Sequence, residues 1–538
     1  MTDTPVSIAS IIQVRQGGVR SVNVERDLQQ TSVVEGYSLT VQARRSLERI
    51  LDRLDNSTIS RAWTLTGPYG SGKSYFGLFL MNLMAAGLPA HALAVEQLRE
   101  TDPLLVQRTI STAHSTKTRG FLPVPVMGYR GSLQQCLAQG LRRALEPLSH
   151  HAAIADLLVS QAAWPPETES RVLVDWLRSL LSRIPSTGYR GILLVVDEMG
   201  KLLEHCSVHP DKSDIFLLQE LAELANRSGE TPLVMVGILH QGFDRYAGNL
   251  DSISQREWAK VQGRFEDIAF QEPPGQQMWL LANALEPVNR EALQTIQPLL
   301  DRYAQEALLA GWRPSTLSEQ LFVELCQRAY PFHPTALVAL PYVFRKLAQN
   351  ERSMFAYLTS LEPYGFQEYA ETHALPSVAG LPDLFDYLVA NFQGRLYGSA
   401  RARSLTETLE RLNGAQDLPS LAVDALKTIG TLNWLAEISH VQATEDNLLF
   451  ALRRPECDDE AIRGALELLR SQSLIVFRRY NRTFAVWEGS DVDIDERLME
   501  ASKHVGGTFS IAAAIQQYLP PQPVVARRHS FRTDSMYK

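Results

Sequence analysis

Five short, almost unbroken apolar runs punctuate the first half of the chain: Ala62 to Leu65, Phe121 to Gly128, Gly191 to Glu198, Pro232 to Leu239 and Asp267 to Phe270. Runs of this length predict strands. Gly191 to Glu198, with five consecutive apolar residues, predicts one buried on both faces, as the central strands of a parallel sheet are. Phe121 to Gly128 predicts a second buried strand, Pro232 to Leu239 another central one and Asp267 to Phe270 a short one. Between them the apolar residues recur at helical spacing. This predicts helices over Thr40 to Leu54, with Thr40 as N-cap, and over Tyr75 to Met84, Ser132 to Leu148, Asp214 to Ala225 and Gln255 to Gly263. Strand and helix alternate, so the expected class is α/β. Gly87 to Gly120 reads as an insertion of helical pieces ending in a polar loop, and Ser149 to Gly188 as helical and irregular. The segment Gly18 to Asp27 reads as loop or short strand.

Beyond residue 274 the pattern is helical: Gln277 to Leu285, Glu291 to Leu309 and Leu317 to Ala329, then less periodic helix with breaks at Pro363, Pro376, Pro382 and Gly394. Three helices follow, Ala425 to Leu435, Glu445 to Leu452 and Asp458 to Leu469. Two strands, Leu474 to Arg478 and Thr483 to Trp487, come next, joined by Arg479 to Arg482. Three helices and a hairpin in that order make the pattern of a winged helix-turn-helix. A further helix is expected over Phe509 to Tyr518. The β-like run after it ends without a partner, which predicts either the start of a further domain or binding elsewhere on the protein.

Composition narrows the setting. With 538 residues the chain is long enough for several domains, and 45% hydrophobic with 21% charged residues is ordinary for a soluble globular protein. No apolar run reaches a membrane span of about 18 residues, and MTDTPVSIAS lacks a signal-peptide layout. A cytoplasmic protein with no membrane partner is the expectation. Cys136, Cys206, Cys326 and Cys457 form no C-x-x-C pair, as suits free thiols. The net charge of −8 argues against a protein that coats nucleic acid over its whole surface, and leaves a local basic groove open.

Candidate chemistry sits at the ends of the strands. Gly67-Pro68-Tyr69-Gly70-Ser71-Gly72-Lys73-Ser74 is a complete G-x-x-x-x-G-K-S placed after a strand and before a helix. In that context the backbone N–H groups cradle phosphate oxygens, helped by the helix dipole. Lys73 would neutralise the β- and γ-phosphates and Ser74 would bind Mg²⁺, so ATP and Mg²⁺ are the expected ligands. Asp197 and Glu198 end the third strand: Asp197 is suited to hold Mg²⁺, and Glu198 to polarise an attacking water. His240 and Gln241 follow the next strand, where a polar side chain either senses the γ-phosphate or caps the strand. His205, Cys206 and His209 offer metal-ligand types but no second ligand pair.

Strand order, the two acids, the polar strand end and GRFEDIAFQEP together resemble an AAA+ ATPase. That resemblance implies a parallel-sheet P-loop core with a helical lid, followed here by the winged helix. The expected divisions are 1–60 as a preface, 61–274 as core, 275–360 as lid, 361–420 as linker, 421–495 as winged helix and 496–538 as a terminal segment. It also implies that Arg264 enters a neighbouring subunit's site as an arginine finger, hence a homo-oligomer, and that a lid arginine, Arg352 or else Arg345, reaches the nucleotide. Tyr37 either packs on the base or belongs to the core. RAWTLTGPYGSGKS, DIFLLQELAELA, YPFHP with QNERSMFAYL, and PPQPVVARRHSF look like the large ATPases of bacterial phage-defence islands, including bacteriophage-exclusion systems. Such a protein would act with other proteins of a defence or DNA-processing complex. Acidic Asp458, Asp459 and Glu460 at the start of the third helix of the winged-helix pattern oppose major-groove entry, whereas Arg478, Arg479 and Arg482 in the wing suit phosphate contact. A signalling switch of the STAND type, acting through protein partners, is the alternative. A small-molecule kinase is disfavoured by Glu198.

Overall fold

Alternation decides the architecture of the sheet. In the computed structural model β1 is Ile12–Val14, β2 Ala62–Thr66, β3 Phe121–Met127, β4 Gly191–Asp197, β5 Leu233–Leu239, β6 Glu266–Ala269, β7 Leu285–Pro287, β8 Ile475–Arg478 and β9 Thr483–Val486. The structure describes residues 6–15, 22–55, 60–113, 118–162, 164, 169–209, 215–248, 250–347, 354–396, 403–415, 417–436, 438–454 and 457–487. Five strands pair in parallel in the order β3-β4-β5-β2-β6. Every residue of β4 and of β5 is buried, as the unbroken apolar runs require.

Successive side chains of one strand enter opposite layers. Trp63, Leu65, Leu193, Val195, Val234 and Val236 pack beneath the helices Lys73–Met84 and Val41–Asp55. Leu122, Val124, Ile192, Leu194, Val196 and Met235 face the helices Leu133–Leu145, Ser170–Arg183 and Phe216–Asn226 on the other side. The fold class is therefore α/β with a five-stranded parallel sheet between two helical layers.

Thr40 caps its helix as expected, accepting the Ala43 N–H at 3.1 Å. The apolar pattern from Glu291 to Leu309 is divided into Arg290–Thr295 and Gln297–Leu309. The division follows from Asn289, whose side chain caps the first helix, and from Pro298, whose ring starts the second. The expected final strand residue Glu198 instead turns left-handed, with φ 52°, and ends β4 at Asp197.

The N-terminal preface holds an element that periodicity did not announce. β1 pairs antiparallel with β7, and Ile8 N–H bonds to the His373 carbonyl at 3.0 Å. The first described residues are thereby stitched to the helical half of the chain. Ile8, Ile11 and Ile12 enter a hydrophobic cluster that runs through Met278, Leu325, Leu337 and Phe385 to Leu432, Leu466 and Val486.

The three expected C-terminal helices are found at Ser420–Leu435, Glu445–Leu452 and Asp459–Ser471, followed by the antiparallel hairpin β8–β9. The acids that open the third have local partners: Asp458 accepts the Ala461 N–H at 2.9 Å, and Asp459 pairs with Arg453 at 2.7 Å. Residues up to Val486 form one compact unit, and a second begins at Trp487. The expected helix Phe509 to Tyr518 and the run after it lie outside the described residues. No helix among the described residues is long and apolar enough to cross a membrane.

Candidate functional site

All the decisive side chains lie at the carboxyl edge of the sheet, where parallel strands release their loops. β5 lies between β2 and β4, so the loop after β2, His240 after β5 and the acids after β4 converge. They line a cleft of about 480 Å³, within the usual range of small-molecule sites, about 300–1,000 Å³.

The Gly67 to Ser74 loop is anchored by its first N–H, which donates to the Leu239 carbonyl at 3.1 Å. Gly72, at φ 86°, makes the left-handed turn from which the helix Lys73–Met84 starts, a conformation costly for any residue with a Cβ. The amino end of that helix, Lys73 to Tyr75, lines the cleft, a place where helix N–H groups and the helix dipole favour an anion. Lys73 Nζ donates to the carbonyls of Gly67 and Pro68, each at 2.6 Å, and to Ser71 Oγ at 3.1 Å. Burial lowers the Lys73 ammonium to about 8, opposed by the nearby charges of Asp197 and Glu198.

Ser74 lies close enough to Asp197 for its hydroxyl to favour the ionised carboxylate, and both line the cleft. Burial raises Asp197 to about 6, against the opposing pull of the Ser74 hydroxyl and of the Glu198 N–H, which it accepts at 2.8 Å. A hydroxyl and a carboxylate side by side are hard oxygen donors and fit Mg²⁺, which keeps several waters and takes the rest from phosphate. Among the described residues no cluster of three or more His, Cys, Asp or Glu side chains is arranged to hold a metal, and His205, Cys206 and His209 form no such site.

Glu198 occupies the N-cap position of the helix Met199–Val208 in a left-handed conformation, its carboxylate making no cap hydrogen bond and lying 3.4 Å from Lys201 Nζ. Such a strained non-glycine conformation costs of order 1–3 kcal/mol, and surrounding contacts must hold it. One of them is the approach of Gly128, at the end of β3. Its N–H donates to the Asp197 carbonyl at 2.8 Å, and a Cβ there would lie 2.4 Å from the Glu198 carbonyl oxygen.

His240 lines the cleft, stacked on Tyr69 of the phosphate loop at 4.7 Å between ring centroids and 3.2 Å from the Tyr246 hydroxyl through Nδ1. Burial lowers its pKa, opposed chiefly by Glu198. Gln241 is half-buried and is not among the described residues lining the cleft.

At the far end Tyr37 both lines the cleft and packs in the core, its ring stacked 6.0 Å from Tyr75 and tilted 5.2 Å from Phe79. Its buried hydroxyl has no hydrogen-bond partner, and burial followed by the charge of Glu272 raises its pKa. Leu280, Asn283 and Thr359 add a further wall, together with Arg15 just after β1. Arg15 and this wall gave no signal in the sequence, because a three-residue strand with a remote partner has no readable period.

Arg264 stands before β6, at the amino edge of the sheet and away from this cleft. It is half-exposed and paired with Glu223 at 3.1 Å. Arg345 is exposed on the helix Pro334–Leu347 and does not line the cleft, and Arg352 lies outside the described residues.

No family model matches the chain, and no curated protein matches it. Among solved structures it is similar to the ORC2 protein of Aeropyrum pernix, solved in ADPNP–ADP complexes. The two are 12% identical over 89% of this chain and 97% of that one, with a TM-score of 0.33. At that score the likeness adds nothing to what the geometry of the cleft carries.

Proposed function

We propose that the chain binds and hydrolyses ATP as a protein of the AAA+ class, driving or switching a DNA-associated assembly. The observation that carries this is that Lys73, Ser74, Asp197 and Glu198 line one cleft, with Lys73 buried and Ser74 beside the Asp197 carboxylate. The Gly67 to Ser74 backbone and Lys73 would hold the phosphates. Ser74 and Asp197 would hold Mg²⁺, which when bound neutralises charge on the phosphate oxygens. Glu198 would orient and deprotonate the attacking water, with His240 close enough to sense its position.

The finer parts of this reading rest on sequence. Arg264 would complete a neighbouring subunit's site, Arg352 would answer from the lid, and the C-terminal helices and hairpin would act as a winged helix. A role in defence against foreign DNA rests on the resemblance alone. A STAND-like switch gains support from the single core shared by the lid helices and the C-terminal helices, through which movement of one would carry the other.

The test compares ATP turnover of the full chain with that of Glu198→Gln, with and without double- and single-stranded DNA, and measures particle mass with ATP. Turnover lost in the variant with ATP binding retained supports hydrolysis, and stimulation by DNA with a multimeric mass supports the motor. Equal turnover in both proteins removes Glu198 from its role. Tightly retained ADP with negligible basal turnover favours the switch.

A further inference from the structure

We propose that Glu25 is a positioning residue for Glu198, linking the N-terminal segment to hydrolysis; this rests on the ATPase reading above. The local sequence builds Glu25 a rigid seat. Asn23 Oδ1 accepts the N–H groups of Glu25 and Arg26, each at 3.0 Å, while the Asn23 N–H bonds to Asp27 at 2.9 Å and Val24 is wholly buried.

From that seat the Glu25 carboxylate accepts the Met127 N–H at 2.8 Å and is clamped by both ends of the Arg143 guanidinium at 2.5 Å each. Its side chain is 21% exposed, so the charge-assisted bonds are partly shielded from water. The place where it lands is what matters. β3 is an edge strand, and Met127, its last residue, is in register with Asp197. The next residue is Gly128, whose N–H holds the Asp197 carbonyl and whose Cα lies against the Glu198 backbone.

A one-residue relay therefore runs from Glu25 through Met127 and Gly128 to the strained turn at Glu198. Val22, three residues before Glu25, lines the cleft itself. Ligand contacts on this segment are thus mechanically joined to the acid turn.

The experiment measures kcat, ATP affinity and Tm for wild type, Glu25→Ala, Glu25→Gln and Arg143→Ala in the full chain, with Glu198→Gln as control. Glu25→Ala should lower kcat about tenfold with ATP affinity within about twofold, as loss of an interaction serving the chemical step does. Glu25→Gln keeps an acceptor for the Met127 N–H and should recover most of the rate. Should Glu25→Ala fail to fold, Arg143→Ala decides, with kcat about threefold lower at unchanged affinity. The inference falls if Glu25→Ala, or in its place Arg143→Ala, keeps the wild-type kcat. It falls equally if affinity and Tm drop in step with kcat in both glutamate variants. A wild-type chain that does not hydrolyse ATP overturns the functional reading and the inference together, whereas an active wild type with an unaffected Glu25→Ala overturns the inference alone.

Discussion

Tyr69, inside the phosphate loop, lies stacked on His240 at the end of β5, with ring planes 20° apart. The Tyr246 hydroxyl holds the same imidazole from the side. The loop and the strand end are therefore one packed unit.

Removing the Tyr69 ring should loosen the loop without touching the acids. An aromatic pair is worth about 0.5–1.5 kcal/mol, so Tyr69→Ala is expected to weaken ATP binding about two- to tenfold. His240→Ala should instead act on kcat, about tenfold or more. Isothermal titration beside steady-state kinetics separates the two, and an unchanged kcat in His240→Ala removes the sensing role.

Asp197 makes stability depend on pH in a stated direction. Its folded-state pKa, about 6, exceeds its ordinary 3.8 because of burial, so the folded protein binds the proton more tightly. Its contribution is present below about pH 4 and is lost as pH rises to about 6. Asp197→Asn should therefore stabilise the metal-free protein at pH 7.5 by about 1–3 kcal/mol, with no gain at pH 4. Urea unfolding at the two pH values checks this. Mg²⁺ requires the ionised carboxylate, so metal-dependent nucleotide binding should weaken below about pH 6.

Gly128→Ala forces a Cβ into the Glu198 backbone. The expected cost is about 1–3 kcal/mol of stability, together with a fall in kcat larger than any loss of ATP affinity. Thermal unfolding and kinetics of the same sample test it, and a wild-type Tm with wild-type turnover refutes the close approach.

Arg264 is half-exposed, so its pair with Glu223 contributes at most about 1 kcal/mol, and Arg264→Ala should fold normally. If it serves a neighbour's site, that variant should lose turnover by about a thousandfold while binding ATP. Mixing it with Glu198→Gln should then restore activity, because the second protein supplies the arginine to the first. No recovery on mixing, with assembly intact, excludes action between subunits.

The central strands β4 and β5 and the acid pair were legible because a strand buried on both faces must be apolar throughout, and carboxylates at its end then stand out. The phosphate loop was legible because its glycines answer a backbone demand, met at Gly72. What escaped depends on contact. Gly128 matters only because β3 ends beside Glu198, and Arg15 only because β1 finds β7 some 270 residues later. The choice between His240 and Gln241 was not legible either, since it is contact with Tyr69 and Tyr246 that holds His240 in the cleft. Asp458 and Asp459 have a local use that spacing does not display, the one holding the Ala461 N–H and the other Arg453.

The β1–β7 pairing also bears on the order in which the molecule is made. Ile12 meets Pro287, and Ser7 meets Ala374, so these contacts close very long loops. Such contacts form late, after nearer ones have repaid the entropy of closure. During synthesis the phosphate loop and its sheet can assemble while residues 7–15 are still waiting for their partners. The wall that Arg15 lends to the cleft is then the last part of the site to arrive, and a nascent chain would hold the phosphate cradle before it holds the whole of the cavity.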